Sequence, residues 1–236
     1  DNISNEYGNG YNGVVQYPFG YGMSYTTFLQ KIISAEEKDG VVNFEVEVTN
    51  TGDTYAGKDV IQLYCETPYT QGGTEKSKVV LSAFEKTELL QPGETKDYNL
   101  SIALEDIASY DETAAGGVGA YVLDAGNYKF YLSENAHSWS QIDSKDAEKC
   151  YEYALKDQMV YDENNKRSSD KTVASNQFAD SENNIPKLSR ADGFANAKET
   201  VFNEIEDIAL QKVDIMYDFL INKSSKAGEY QGEILD

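Results

Sequence analysis

The side chains able to do chemistry are mostly carboxylates. The 236-residue chain holds 41 Asp and Glu, one His and two Cys. A pair of carboxylates can act as general acid and base when their surroundings push their pKa values apart. In so acidic a chain, however, chance pairs are common and none stands out by spacing. His137, in N-A-H-S-W, has no candidate partner nearby in the sequence and is read as a loop residue rather than a general base. Cys65 and Cys150 can pair, but their spacing does not require it. Cys65 falls in an apolar strand pattern, where a free thiol behaves as a small hydrophobe. There is no C-x-x-C, no His cluster, no G-x-S-x-G elbow and no phosphate loop, so no metal, cofactor or nucleotide is expected. Trp139 is the one Trp. It is read as sealing the end of a core, with stacking on a sugar as the alternative.

Charge narrows the partners. A formal net charge of −21 repels phosphate backbones, which disfavours nucleic acid, and it disfavours anionic membrane surfaces equally. No apolar run is long enough to span a bilayer. The chain begins at Asp1 without Met and without a signal peptide. It is expected to be a piece of a longer protein, and its compartment stays open between cytoplasm and cell surface.

Short strand patterns make up the middle of the chain. Val42, Phe44, Val46 and Val48 alternate with Asn43, Glu45, Glu47 and Thr49, the period of a half-buried strand. That strand stops at the turn cluster Asn50-Thr51-Gly52-Asp53. Val60 to Cys65 is almost continuously apolar and is expected to be buried on both faces. Phe28–Ser34, Val79–Phe84, Tyr98–Leu104, Tyr121–Leu123 and Tyr128–Leu132 supply further strands. A Pro92-Gly93 turn precedes the third of these, Asp124–Asn127 the last, and Glu105–Tyr110 reads as a short helical or irregular turn. Roughly seven short strands with regular turns and no helices between them predict an immunoglobulin/fibronectin-III-like β-sandwich. Lys145–Asp162 reads as a short helix or a ragged strand, and 164–184 as a polar strap over the sandwich. Beyond it, Phe202, Ile205, Ala209, Val213, Met216 and Leu220 recur at helical spacing, with Asn196 and Glu199 resembling a capping box. An amphipathic C-terminal helix is predicted. The divisions are 1–27 as a linker, 28–140 as the sandwich, 141–195 as a strap and 196–236 as a helical tail.

Tyr17 to Phe28 reads Y-P-F-G-Y-G-M-S-Y-T-T-F. It resembles the Y-P-F-G-x-G-L-S-Y-T-x-F junction of family 3 glycoside hydrolases, which leads from an α/β domain into a fibronectin-III-like domain. Five further stretches resemble the same family in the same order: V-E-V-T-N-T-G-D (46–53), A-G-K-D-V-I-Q-L-Y (56–64), the stretch from Leu81 to Glu94, I-A-S-Y-D (107–111) and Y-V-L-D-A-G-N-Y (121–128). Downstream, N-Q-F-A-D (176–180) and L-S-R-A-D (188–192) resemble the stretch that joins this domain to a following barrel in bacterial members with swapped domain order. There the family has Trp after the Asp, and here it is Gly193. The resemblance ends at about Ala195.

The resemblance implies an accessory domain of a bacterial β-glucosidase-type hydrolase, without the catalytic domains. Retaining hydrolysis needs two carboxyl groups about 5–5.5 Å apart, and the family's S-D-W nucleophile context is absent here. The piece alone is therefore expected to be inactive. Its partners are expected to be the catalytic domains of the parent chain. Carbohydrate binding and dimerisation through residues 196–236 are the alternatives. Tyr17, Pro18, Phe19, Gly20, Tyr21, Gly22 and Tyr25 form the candidate docking linker: Pro18 fixes its start, the two glycines permit unusual backbone angles, and the rings anchor it on a neighbouring surface or on its own domain.

Overall fold

A computed structural model describes residues 15–176 and 188–195. The chain divides into a first unit, residues 1–179, and a second, 180–236. The regular structure of the first unit is mainly β. In chain order the strands are β1 (Phe28–Lys38), β2 (Val41–Asn50), β3 (Val60–Glu66), β4 (Val79–Lys86), β5 (Thr95–Ala103), β6 (Ser109–Asp111), β7 (Ala120–Leu123), β8 (Gly126–Leu132), β9 (Cys150–Leu155) and β10 (Met159–Tyr161). Every strand pairing is antiparallel. One sheet runs β1-β2-β5, a second β4-β3-β8-β9, and a small third sheet β10-β7-β6.

The two larger sheets close on each other because their inner faces are apolar at every second residue. Val42, Phe44, Val46 and Val48 of β2 and Tyr98, Leu100 and Ile102 of β5 join Ile61, Leu63 and Cys65 of β3 and Tyr128, Phe130 and Leu132 of β8 in one buried cluster. Phe44 and Phe130 meet across the sandwich with ring centroids 5.5 Å apart, and Tyr151 of β9 meets Phe44 edge-on at 5.8 Å. The expectation for β3 is met from Ile61 to Cys65, which are all buried, while Val60 is half-buried. At the corner leading into β8, the buried Tyr128 donates its hydroxyl to the carbonyl of Asp124 at 2.8 Å. This is the tyrosine corner of immunoglobulin-like sandwiches, which pins the loop before a strand to that strand.

Two regions differ from the sequence reading. β9 pairs with β8 from Gly126↔Leu155 to Tyr131↔Cys150, so the sheet continues past the expected boundary at residue 140. Within the ambiguous stretch 145–162, β9 and β10 are strand, and Tyr151 and Tyr153 of β9 cover the edge of the core. The small third sheet had no counterpart in the reading, since β6 and β10 are three residues each. The expected turn after β5 is a single 3-10 turn, Leu104–Ile107, held by the burial of both its ends. Cys65 and Cys150 are buried and unpaired. Burial raises both thiols, Cys150 to about 11, so neither is a reactive thiolate at neutral pH.

In the second unit, residues 188–195 make a run of turns in which Asp192 accepts the amide of Ala195 at 3.2 Å. The predicted C-terminal helix lies outside the described residues.

Candidate functional site

The strand that organises the site carries one polar side chain in an apolar run. Gln62 is buried in the middle of β3, and a buried amide must find partners for both its ends. Its Nε2 donates to the carbonyls of Glu134 at 2.8 Å and Gly20 at 3.2 Å, and its Oε1 accepts the hydroxyl of Tyr64 at 2.8 Å. The amide of Ala136 donates to the carbonyl of Phe19 at 2.9 Å. The lead-in segment is thereby fixed on the outer face of the four-stranded sheet through its backbone.

Local chemistry supports that attachment. Tyr21 N–H donates to the carbonyl of Pro18 at 3.0 Å, closing a turn with Gly20 at φ +84°. A Cβ on Gly20 would stand 2.1 Å from Gln62 Oε1, whereas one on Gly22 would meet nothing within 4 Å. Of the two glycines proposed as special, only Gly20 is required by geometry.

A second clamp holds the far end of the segment. Asn50, fully buried at the end of β2, accepts the Thr26 hydroxyl at 2.6 Å and the Gly52 amide at 3.1 Å on Oδ1. Its Nδ2 donates to the carbonyls of Tyr55 at 2.9 Å and Leu90 at 3.0 Å. The sequence marked Asn50 only as part of a turn. It is a four-bonded junction joining the lead-in, the β2–β3 loop and the bridge residue Leu90.

With the backbone held inward, the side chains face out. Phe19 is 69% exposed, Met23 84% and Tyr25 94%, and Tyr17 and Tyr21 are also exposed. Tyr17 stacks near Tyr21 at 5.1 Å and Tyr25 near Tyr55 at 6.2 Å. β4 adds to this face. Phe84 lies directly opposite Gln62 in the register, so both side chains emerge on the same side of the sheet, and Phe84 is 70% exposed. Phe84 was read only as the end of a strand; an aromatic at the outward phase of an edge strand was the available signal.

Trp139 sits on a 3-10 turn, Ser138–Gln141. Asn135 builds that turn by accepting the amides of His137 and Ser138, each at 2.9 Å. The indole is half-buried against Tyr131 at 5.5 Å, and Lys78 Nζ lies 5.2 Å from its ring centre.

Among the described residues, the carboxyls with displaced acidity (Glu88, Glu105, Asp111 and Asp170) are all displaced downward. A general acid at neutral pH needs the opposite. No group of three His, Cys, Asp or Glu suited to a metal occurs among them. An open groove of about 450 Å³ between β4 and β5 is lined by Leu81, Ala83, Phe84 and Leu100, with Glu85 its sole ionisable residue.

These features define a class: a β-sandwich with immunoglobulin-like topology and a pinned, aromatic lead-in. Residues 59–136 match the family described as fibronectin type III-like domain. Among curated relatives, β-glucosidase A of Butyrivibrio fibrisolvens is 31% identical over 214 residues, covering 81% of this chain and 25% of that protein. A β-glucosidase of Ruminococcus albus is 38% identical over 142 residues, covering 60% of this chain and 14% of that protein. Among solved structures, a β-glucosidase from Paenibacillus barengoltzii superposes with a TM-score of 0.51 at 38% identity, covering 61% of this chain and 15% of that one. Residues 59–136 thus carry a fibronectin type III-like domain, and the chain is similar to one part of these longer β-glucosidases. It spans a quarter or less of the length of these relatives.

Proposed function

We propose that this chain is the non-catalytic accessory sandwich of a family 3 glycoside hydrolase of β-glucosidase type, and that it braces the catalytic domains of its parent through the lead-in face. The observation that carries this reading is the opposition within residues 17–25. Their backbone is fastened to the sandwich by Gln62 and the Ala136 amide, and the Thr26 hydroxyl just beyond is held by Asn50, yet Phe19, Met23 and Tyr25 are turned to solvent. Large apolar side chains held in fixed positions outside a core mark an interaction surface. Phe84 widens that surface onto the sheet. In this reading Trp139 has a packing role: Tyr131 lies against its ring and Lys78 over it.

The test compares the 236-residue chain with the full gene product on nitrophenyl glycosides. The parent is expected to turn over a nitrophenyl β-glucoside and the chain alone to be inactive. Turnover by the chain alone contradicts the accessory role. Calorimetric binding of oligosaccharides to the chain alone, lost in Trp139→Ala, contradicts it in favour of a carbohydrate-binding module.

A further inference from the structure

After β10 the chain does not leave the sandwich but crosses back over the small third sheet. Asp162 starts this course by accepting the amides of Asn164 at 2.8 Å and Asn165 at 3.1 Å, and the Asn165 side chain donates to the carbonyl of Val160 at 2.9 Å. The Arg167 guanidinium then lies 4.3 Å from the ring centre of Tyr121 on β7, a cation–π contact. At the far end the amide of Asn176 donates to the carbonyl of Val118 at 2.7 Å. The space enclosed beneath, lined by Tyr121, Tyr161, Arg167 and Val173, is only about 10 Å³.

One carboxylate holds the centre. Glu105 projects from the 3-10 turn whose neighbours Leu104 and Ile107 are buried in the core. Its Oε2 accepts the Ser168 amide at 2.7 Å, and its Oε1 accepts the Ser168 hydroxyl at 2.7 Å and the Ser169 amide at 2.9 Å. Charge-assisted bonds of this length are the strong ones. Residues 162–176 also meet the body of the domain through the Arg167–Tyr121 ring contact, the Asn165 side chain on the Val160 carbonyl and the Asn176 amide on the Val118 carbonyl.

We infer that residues 162–176 form a latched strap, and that Glu105 is the latch: it holds the strap closed over Tyr121 and Tyr161 and keeps Asn176 beside Val118. The strap opens as a local unit, with the sandwich intact, when the latch is removed. Segments held by few contacts open below the global unfolding free energy, and proteolysis tracks the open population when closing is fast.

Limited trypsin digestion of the 236-residue chain tests this, because Lys166, Arg167 and Lys171 all lie on the strap. Glu105→Ala is expected to raise the cleavage rate after Arg167 and Lys171 about tenfold or more, with an unchanged far-ultraviolet circular dichroism spectrum and no new cuts in β1–β9. Glu163→Ala, which removes a strap carboxylate paired only with Lys166 at 2.8 Å, is expected to leave cleavage after Lys171 at the wild-type rate. Equal rates in wild type and Glu105→Ala overturn the latch, as does an equal acceleration by Glu163→Ala. Should Glu105→Ala unfold the whole domain, Ser168→Ala decides. It removes the hydroxyl bond alone and is expected to accelerate cleavage a few-fold; an unchanged rate overturns the proposal.

Discussion

The lead-in and the strap are irregular segments that lie on the sandwich, and each is fastened by a side chain from a well-anchored element. Gln62 of β3 holds Gly20, and Glu105 of the 3-10 turn holds Ser168 and Ser169. They differ in what they do with their own side chains. The strap turns Arg167 inward onto Tyr121 and shows polar residues to water. The lead-in turns its carbonyls inward and shows Phe19, Met23 and Tyr25 to water. A segment with polar residues outward is complete as it stands, whereas fixed aromatics outward call for a second surface. Similar loop-like sequences therefore serve different ends, and fastening alone does not distinguish them.

The largest expected effect comes from cutting the clamp at the base of the lead-in. Asn50→Ala takes the side-chain donor from the Tyr55 and Leu90 carbonyls, of which Leu90 keeps the Gly57 amide, and takes the acceptor from Thr26 and Gly52. It should cost about 3 kcal/mol in urea unfolding and lower Tm by roughly 6–12 °C. Gly20→Ala should cost about 2 kcal/mol, since it adds a Cβ at positive φ against Gln62. The double variant with Gln62→Ala should recover part of that loss, and additive costs would show that the two residues do not meet. Tyr128→Phe removes only the corner hydrogen bond to Asp124 and should cost about 1 kcal/mol, with the lead-in undisturbed.

Acid should separate the strap from the lead-in. Desolvation acts to raise the Glu105 carboxyl, but the hydrogen bonds from Ser168 and Ser169 outweigh it and hold the group from 4.5 down to about 2. Because the folded pKa is depressed, the latch contributes in full above about 4.5 and its contribution is lost as pH falls toward 2. Tryptic fragments require neutral pH, so hydrogen exchange of the Ser168 and Ser169 amides is the appropriate measurement. Their protection should fall across that window in wild type, while Gly20–Tyr21, held by uncharged groups, should not follow it.

Most of the sandwich was legible because its strands obey a period of two and end at turn residues. The run Val42–Val48 and the apolar Val60–Cys65 each predicted their own burial. The fastening residues were hidden for one reason: their partners are remote. Gln62 bonds to residues 42 and 72 positions away, and Glu105 to a segment 63 positions on. A polar residue inside a buried run announces that partners exist but not which. β9 was obscured by the turn-rich stretch before it, although Cys150-Tyr151-Glu152-Tyr153 alternates as a strand should. The aromatic lead-in was legible as a segment but not in its orientation, since only the structure shows its rings turned away from the domain that holds its backbone.

The smallest effect within the chain gives the sharpest test. Phe19→Ser with Phe84→Ser removes two exposed rings and should shift the stability of the 236-residue chain by no more than about 0.5 kcal/mol. The decisive measurement is thermal unfolding of the same double variant in the full gene product, beside wild type. A drop of several degrees in the parent, with none in the chain alone, is the result expected of a docking face. Equal Tm values for variant and wild type in the parent would contradict it.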